Sequence, residues 1–265
     1  MAIAENGAGI PDVPGIAPIG WAGRLRIARR AIVIGAVFLG CLLLYPFGAV
    51  LTHRNPVPRL FLQTVLRIVG GRLQVTGEPV RTPSVLLANH VSWLDILALT
   101  AATGTTYVAQ DGLAAHPGLR FFLKLHRTVL IARSDRAGVA GQVDQVREGL
   151  EANGILTLFP EGTTGNGIEL LPFKSSLLSM VEGGDRSIHV RPVWIDYGTT
   201  AADIAWFGAE PGANNVMRIL ARKQPIAITV HLLEPIGDAD RASRKTIAAS
   251  ARQAILDRMD QRVAL

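Results

Sequence analysis

The distribution of apolar and polar residues divides the chain into three parts. Residues 1–20 have no helical or strand periodicity and are rich in Gly, Pro and Ala, which predicts a mobile tail. Residues 21–70 contain a run without charged side chains, Ala31 to Leu51, followed by an amphipathic stretch from Leu60 to Val69. From 71 to 265, short apolar runs alternate with helical patterns, which predicts one larger domain.

The uncharged run of 21 residues is long enough to cross a bilayer and predicts a hydrophobic helical membrane anchor. Pro46 and Gly48 predict a kink near its end. Arginines flank it in equal number, so the positive-inside rule gives no orientation. They are Arg24, Arg26, Arg29 and Arg30 before it and Arg54, Arg59, Arg67 and Arg72 after it. A single span and a helical hairpin inserted into one leaflet both fit this pattern.

The alternation in the third part predicts a single α/β catalytic domain with a largely buried mixed sheet flanked by helices. The predicted strands are 73–76, 84–88, 105–109, 128–132, 155–159, 188–195 and 226–233. The predicted helices are 92–103, 117–125, 136–152, 174–183, 213–222 and 240–262.

A candidate catalytic pair follows the predicted strand at 84–88. His90 lies where this strand gives way to a helix, and Asp95 lies five residues later in the first helical turn. A carboxylate bonded to one imidazole nitrogen fixes the tautomer and leaves the other nitrogen as a base. Ser92-x-x-Asp95 also has the form of a capping box, in which Asp95 only satisfies backbone donors. The twelve residues from Ser84 to Asp95 fit both interpretations.

A second polar segment follows the predicted strand at 155–159. Residues 160–167, Pro-Glu-Gly-Thr-Thr-Gly-Asn-Gly, form a glycine-rich turn whose backbone N–H groups suit an anion or a polar head group. The turn lacks the Gly-Lys-Ser/Thr ending of a phosphate-binding P-loop. An ordinary surface turn is the alternative.

Composition favours a membrane surface as the partner. Apolar residues make up 49% of the 265 residues, and Lys plus Arg outnumber Asp plus Glu by 27 to 21. The mean hydropathy is +0.29 and the pI is near 10.1. A basic and unusually apolar chain indicates an anionic membrane surface or acidic ligands rather than nucleic acid, because a lysine-rich stripe and zinc-finger spacing are absent from the sequence. Cys41 is the only cysteine, which excludes an intrachain disulfide and a cysteine-based metal site.

The two polar segments together resemble the glycerolipid acyltransferase family, typified by the bacterial 1-acylglycerol-3-phosphate acyltransferase. His90-x-x-x-x-Asp95 is followed, some seventy residues later, by Phe-Pro-Glu161-Gly162-Thr163. The resemblance covers about residues 70 to 235. Shorter matches are Leu130-Ile131-Ala132-Arg133, Pro172-Phe173-Lys174 and Val190-Arg191-Pro192-Val193.

The resemblance implies transfer of a fatty acyl group from acyl-CoA or acyl carrier protein to the hydroxyl of a lysolipid, with no other cofactor and no metal. It implies that His90 is the general base and that Asp95 orients it. The implied substrate-binding residues are Glu161, Gly162, Thr163, Thr164, Arg133, Arg127 and Lys174. It also implies a catalytic domain at the cytoplasmic face of the inner membrane.

One departure from the family pattern bears on the acceptor. The family usually continues Glu-Gly-Thr with an arginine that serves the acceptor's phosphate, whereas this chain has Thr164. Glu-Gly-Thr-Thr with Pro-Phe-Lys-Ser-Ser resembles the branch that acylates lyso-ornithine lipid. Lysophosphatidate is the alternative acceptor, and a non-catalytic lipid-binding protein is the alternative function.

Two other enzyme classes are disfavoured by the sequence. A metallohydrolase would need a second histidine near His90, and none lies at helical or hairpin spacing from it. A serine hydrolase using Ser92 would need a Gly-x-Ser-x-Gly elbow, which the chain lacks.

Overall fold

A seven-stranded mixed sheet forms the centre of the molecule. The computed structural model describes residues 19–52, 55–115, 117–131, 139–182 and 187–263. The strands are β1 (Gly71–Thr76), β2 (Ser84–Ala88), β3 (Thr106–Gln110), β4 (Val129–Ile131), β5 (Ile155–Leu158), β6 (His189–Asp196) and β7 (Ile226–Leu232). Their order is β1-β7-β6-β2-β5-β3-β4. Strands β6, β2, β5, β3 and β4 are parallel, β7 is antiparallel to β6, and β1 pairs parallel with β7. This confirms the predicted mixed sheet.

Helices cover both faces of this sheet. They are α1 (Trp21–Leu51), α2 (Val57–Ile68), α3 (Leu94–Thr103), α4 (Pro117–Leu125), α5 (Val139–Asn153), α6 (Ala201–Ile204), α7 (Gly212–Ala221) and α8 (Arg244–Val263). One core lies between the sheet and α1, α2, α3 and α7. A second core lies between the opposite face and α5 and α8.

Strand β2 shows why the sheet is buried on both sides. All five of its residues are buried. Leu86 and Ala88 join the core beneath α3, whereas Val85 and Leu87 join the core beneath α8. A strand that buries both faces reads as a continuous apolar run, which is how the sequence presents it.

Helices α1 and α2 form an antiparallel hairpin. Gly48 of α1 approaches Val57 at the start of α2. At the other end, the guanidinium of Arg30 in α1 approaches Gly70, just after α2 ends. Helix α2 also buries Phe61 in the core, so the hairpin is continuous with the α/β domain.

Helix α1 begins ten residues before the uncharged run, because arginines in its first turns bind the rest of the protein. The Arg30 guanidinium donates to the carbonyl oxygens of Ile219, Leu220 and Arg222 at 3.3, 2.8 and 3.0 Å, at the end of α7. Arg26 donates to the Ala221 carbonyl at 2.7 Å. These contacts satisfy carbonyls that a helix terminus leaves without partners.

One sequence expectation needs correction, and two stretches fall outside the described residues. Helix α1 includes Pro46 and continues to Leu51, and a kink near its end stays a prediction. The predicted helix at 174–183 is a 3₁₀ helix, Ser176–Val181, in which the Ser179 hydroxyl bonds to the Ser176 carbonyl and competes with α-helical pairing. Residues 1–18 of the predicted tail and Ala132-Arg133 lie outside the described residues.

Candidate active site

The loop between β2 and α3 lies at the carboxyl edge of the parallel strands, where α/β folds commonly place functional groups. The Asn89 side chain holds it against β6: its amide oxygen accepts from the Ile195 N–H at 2.7 Å, and its amide nitrogen donates to the Ile195 carbonyl at 3.1 Å. The Val91 carbonyl accepts from the Trp206 N–H at 2.9 Å. The loop that carries His90 is therefore fixed on both sides.

His90 and Asp95 form the predicted pair. His90 Nδ1 lies 2.8 Å from Asp95 Oδ2, the His90 side chain is 20% exposed and the Asp95 side chain is fully buried. The hydrogen bond to a carboxylate requires the proton on Nδ1, which leaves Nε2 as the basic nitrogen. The pair thus joins a buried anion to an accessible imidazole.

The capping interpretation is correct in part: Asp95 satisfies backbone donors, but the N-cap residue of α3 is Trp93 and not Ser92. Asp95 Oδ2 accepts from the backbone N–H of Val91 at 2.6 Å and of Ser92 at 2.9 Å. One carboxylate therefore orients His90 and closes the turn before α3, so the two interpretations are compatible. Ser92 is fully buried, which leaves its hydroxyl without access to a substrate.

Tyr197 completes the surroundings of Asp95, and the sequence analysis missed it. Its hydroxyl donates to Asp95 Oδ1 at 2.5 Å. Burial and then the neighbouring Asp95 carboxylate raise the pKa of Tyr197, so the phenol keeps its proton and acts as a donor. The signal in the sequence was its position directly after the strand β6, which lies beside β2.

Glu161 connects the glycine-rich turn to the loop that carries His90. Its Oε1 accepts from the His90 N–H at 2.6 Å, and its Oε2 accepts from the Leu171 N–H at 3.1 Å. Burial raises the pKa of Glu161 to about 7, against the opposing effect of the two N–H donors. Both oxygens face backbone donors, so this geometry gives Glu161 a positioning role, and direct contact with a substrate stays a prediction.

The glycine-rich turn lies against the backbone of His90. The Gly165 N–H donates to the His90 carbonyl at 2.8 Å. A Cβ on Gly165 would lie 3.4 Å from Glu161 Oε2 and 3.7 Å from the His90 carbonyl oxygen, which are ordinary van der Waals distances, so this contact does not itself require glycine. Gly162 has φ of 75°, a left-handed conformation that favours glycine.

A row of aromatic rings extends from His90 toward α4. The Phe159 ring stacks on the His90 ring with centroids 4.0 Å apart. Tyr107 stacks on Phe159 at 6.0 Å and contacts the His126 ring at 5.7 Å. Burial lowers the pKa of His126 to about 4, so this imidazole is neutral at physiological pH.

The other predicted binding residues are distributed around this centre. Thr163 is exposed and Thr164 is half-buried, both in the turn beside His90. The Lys174 N–H donates to the Pro160 carbonyl at 2.8 Å, which brings Lys174 to the base of the turn with its side chain exposed. Arg127 is exposed at the end of α4, and Arg133 lies outside the described residues.

Among the residues that the structure describes, no group of three His, Cys, Asp or Glu side chains converges as metal ligands. Both oxygens of Asp95 and both oxygens of Glu161 already accept hydrogen bonds from protein donors. The arrangement therefore suits proton transfer at Nε2 of His90.

Comparison with known proteins agrees with this chemistry. The family model described as Acyltransferase matches residues 72–196. A lyso-ornithine lipid O-acyltransferase of Rhodobacter capsulatus is 29% identical over 259 residues, covering 91% of this chain and 92% of the relative. The enzyme of the same description from Pseudomonas aeruginosa is 31% identical over 246 residues, covering 88% and 93%. A 1-acyl-sn-glycerol-3-phosphate acyltransferase of Neisseria gonorrhoeae is 34% identical over 107 residues, covering 40% and 42%.

One solved structure supports the fold. The crystal structure of the 1-acyl-sn-glycerophosphate acyltransferase PlsC of Thermotoga maritima superposes with a TM-score of 0.59 and covers 91% of this chain and 98% of that one. The sequence identity is 18%, so this likeness concerns the fold.

Proposed function

The chain belongs to the acyltransferase family, and from that premise we propose that it moves a fatty acyl group from a thioester to the hydroxyl of lyso-ornithine lipid. The observation that carries the proposal is the 2.8 Å contact between Nδ1 of the accessible His90 and the buried Asp95 carboxylate. This pair supplies a base of fixed tautomer at the edge of the sheet where the glycine-rich turn also lies.

The first step of the proposed reaction is direct attack by the acceptor. Nε2 of His90 takes the proton of the lysolipid hydroxyl while its oxygen forms a bond to the thioester carbonyl carbon. Asp95 stabilises the resulting imidazolium, and Tyr197 together with the two backbone donors holds the carboxylate in place. The acceptor oxygen is the nucleophile, so an acyl-enzyme intermediate is unnecessary.

In the second step the carbon–sulfur bond breaks and the imidazolium returns its proton to the departing thiolate. The products are an ester and a free thiol, either CoA or the carrier protein. The backbone N–H groups of His90, Val91 and Ser92 already donate hydrogen bonds to the Glu161 and Asp95 carboxylates. The hydrogen bonds that stabilise the tetrahedral oxyanion therefore have to come from other donors.

Two observations favour lyso-ornithine lipid as the acceptor. Relatives of that description match along about nine-tenths of the chain, whereas the glycerol-phosphate relative from Neisseria matches 40% of it. Residues 160–171 contain no Lys or Arg, and Thr164 stands where the family's phosphate-binding arginine is expected. A head group with an ammonium and a carboxylate does not need that guanidinium.

We propose that the hairpin of α1 and α2 attaches the enzyme to the membrane by insertion into one leaflet. Within the described part of the chain, α1 is the helix long and apolar enough to cross a bilayer. Its first turns are bonded to α7, and α2 returns to the sheet after 12 residues, about 18 Å of helix. That length is too short to recross a hydrocarbon core of about 30 Å, which favours the hairpin over a span.

The function is tested by offering the purified protein lyso-ornithine lipid and lysophosphatidate side by side, with labelled acyl-CoA and labelled acyl carrier protein as donors. We expect a higher kcat/KM for lyso-ornithine lipid. A clear preference for lysophosphatidate would overturn the acceptor, and no transfer to either lipid would overturn the reaction. Deletion of residues 1–56 tests the attachment, since the truncated chain is expected to leave the membrane fraction.

A further inference from the structure

Helix α4 presents aromatic side chains at the surface. Phe121 is 44% exposed and Phe122 is 36% exposed. Arg120 and Lys124 are exposed on the same nine-residue helix, which contains no acidic residue. Exposed aromatic residues combined with basic ones are typical of a helix that lies in the interface of a bilayer.

The two phenylalanines also join α4 to the membrane hairpin. The Phe121 and Phe122 rings contact the Phe38 ring of α1 with centroids 6.1 and 5.2 Å apart. Phe122 also stacks on Phe61 of α2 at 5.7 Å. The exposed part of α4 therefore continues the exposed apolar surface of α1. That surface contains Leu39, Leu42, Leu43, Leu44, Phe47, Val50 and Leu51.

We propose that α4 is a third lipid-contacting element, embedded at the level of the head groups of an anionic bilayer, beside the α1–α2 hairpin. The inference rests on the proposed function, because it requires that the hairpin be inserted. Phe121 and Phe122 would lie at the boundary of the acyl chains, with Arg120 and Lys124 at the phosphates. A second copy of the chain is a poorer occupant, since a symmetric contact would bring the same cations together.

This position links the membrane surface to the catalytic centre. Helix α4 ends in a turn where the Thr128 N–H bonds to the Leu123 carbonyl at 2.9 Å and the Arg127 N–H bonds to the Lys124 carbonyl at 3.1 Å. Arg127 has φ of 52° in this turn, a left-handed conformation that glycine usually occupies. The turn places His126 at the end of the aromatic row that begins at His90. Embedding α4 would therefore hold Arg127, a predicted substrate-binding residue, at head-group level.

The experiment measures depth by fluorescence quenching in the full-length protein. Cys41, the only cysteine, is replaced by serine, and single cysteines are introduced as Phe121→Cys, Leu43→Cys and Gln253→Cys. Each variant is labelled with a thiol-reactive fluorophore and bound to phosphatidylethanolamine–phosphatidylglycerol vesicles that contain lipids spin-labelled near the head group or deep in the chain. Gln253 is the control, because it is exposed on α8, and α8 packs on the opposite face of the sheet.

We expect quenching at positions 121 and 43 and none at position 253, with position 121 quenched most by the shallow spin label. Quenching at 43 without quenching at 121 would overturn the role of α4 and leave the hairpin intact. No quenching at 43 would overturn the proposed attachment together with this inference. The fluorescence at position 121 could instead change with protein concentration and not with spin-labelled lipid. That result would assign the exposed surface of α4 to self-association and overturn the proposed lipid contact.

A functional measurement separates lipid contact from folding. Phe121→Ser is expected to weaken partition into vesicles by about tenfold, because it removes a half-exposed ring from the lipid boundary. The KM for an acceptor carried in vesicles should rise by a similar factor, while kcat/KM for a short-chain, water-soluble acceptor stays unchanged. Equal losses for both acceptors would indicate a folding defect and contradict the inference.

Discussion

Substitution of Tyr197 by Phe tests whether the phenol positions the catalytic pair. The variant keeps the ring in the core and removes only the hydroxyl that donates to Asp95 Oδ1 at 2.5 Å. Asp95 is fully buried, so in the variant its Oδ1 loses the hydrogen bond from the phenol and gains none from water. A hydrogen bond to a charged group contributes about 1.5–3 kcal/mol, so we expect a loss of that size in the free energy of unfolding.

The expected catalytic effect is a decrease of about ten- to a hundredfold in kcat with little change in either KM, because the carboxylate is freer to rotate away from Nδ1.

The matched control is Tyr107→Phe. Tyr107 is also buried, and its hydroxyl donates to the Ile96 carbonyl at 2.8 Å, so the control should lose stability without a selective loss of kcat. Steady-state kinetics and chemical denaturation of both variants make the comparison. A Tyr197→Phe variant that loses stability but matches Tyr107→Phe in kcat and in both KM values would refute the reasoning.

Three further predictions follow from other contacts. Burial raises the pKa of Glu161 from 4.5 to about 7, so the folded protein retains a proton that the unfolded chain releases. The free energy of unfolding should therefore fall by about 3 kcal/mol as the pH rises from 4.5 to 7. Chemical denaturation of Glu161→Gln should show no such dependence on pH. Thr164→Arg should raise kcat/KM for lysophosphatidate relative to kcat/KM for lyso-ornithine lipid, because the arginine supplies a bidentate phosphate contact. If the ratio of the two kcat/KM values is unchanged, position 164 does not select the acceptor. Arg30→Met should lower the thermal unfolding temperature, because it removes the guanidinium that donates to the Leu220 and Arg222 carbonyls at the end of α7, while vesicle binding persists. Loss of vesicle binding would show that this contact is needed for insertion.

The sequence predicted those features that depend on neighbours along the chain. The apolar runs gave all seven strands because each strand is short and bounded by polar or glycine-rich turns. The spacing of His90 and Asp95 predicted their contact because a loop and one helical turn bring them together. The alternatives of catalytic pair and capping box could not be separated from sequence, since one carboxylate oxygen accepts from both the ring and the backbone.

Contacts between distant segments were not accessible to the same reasoning. Tyr197 reaches Asp95 across 102 residues, and the Asn89 amide pairs with Ile195 across 106. Both depend on β6 lying beside β2, an order of strands that hydrophobic periodicity does not specify. The contact between α1 and α7 was missed for a similar reason, because the Arg30 guanidinium reaches the Leu220 carbonyl across 190 residues.

The account depends on His90 acting as the base, and single-turnover acyl transfer by His90→Ala tests this most directly. With vesicle-bound enzyme and labelled acyl thioester, we predict that the rate of ester formation falls by at least about a hundredfold while vesicle binding stays at the wild-type level. Ester formation at the wild-type rate in this variant would contradict the mechanism.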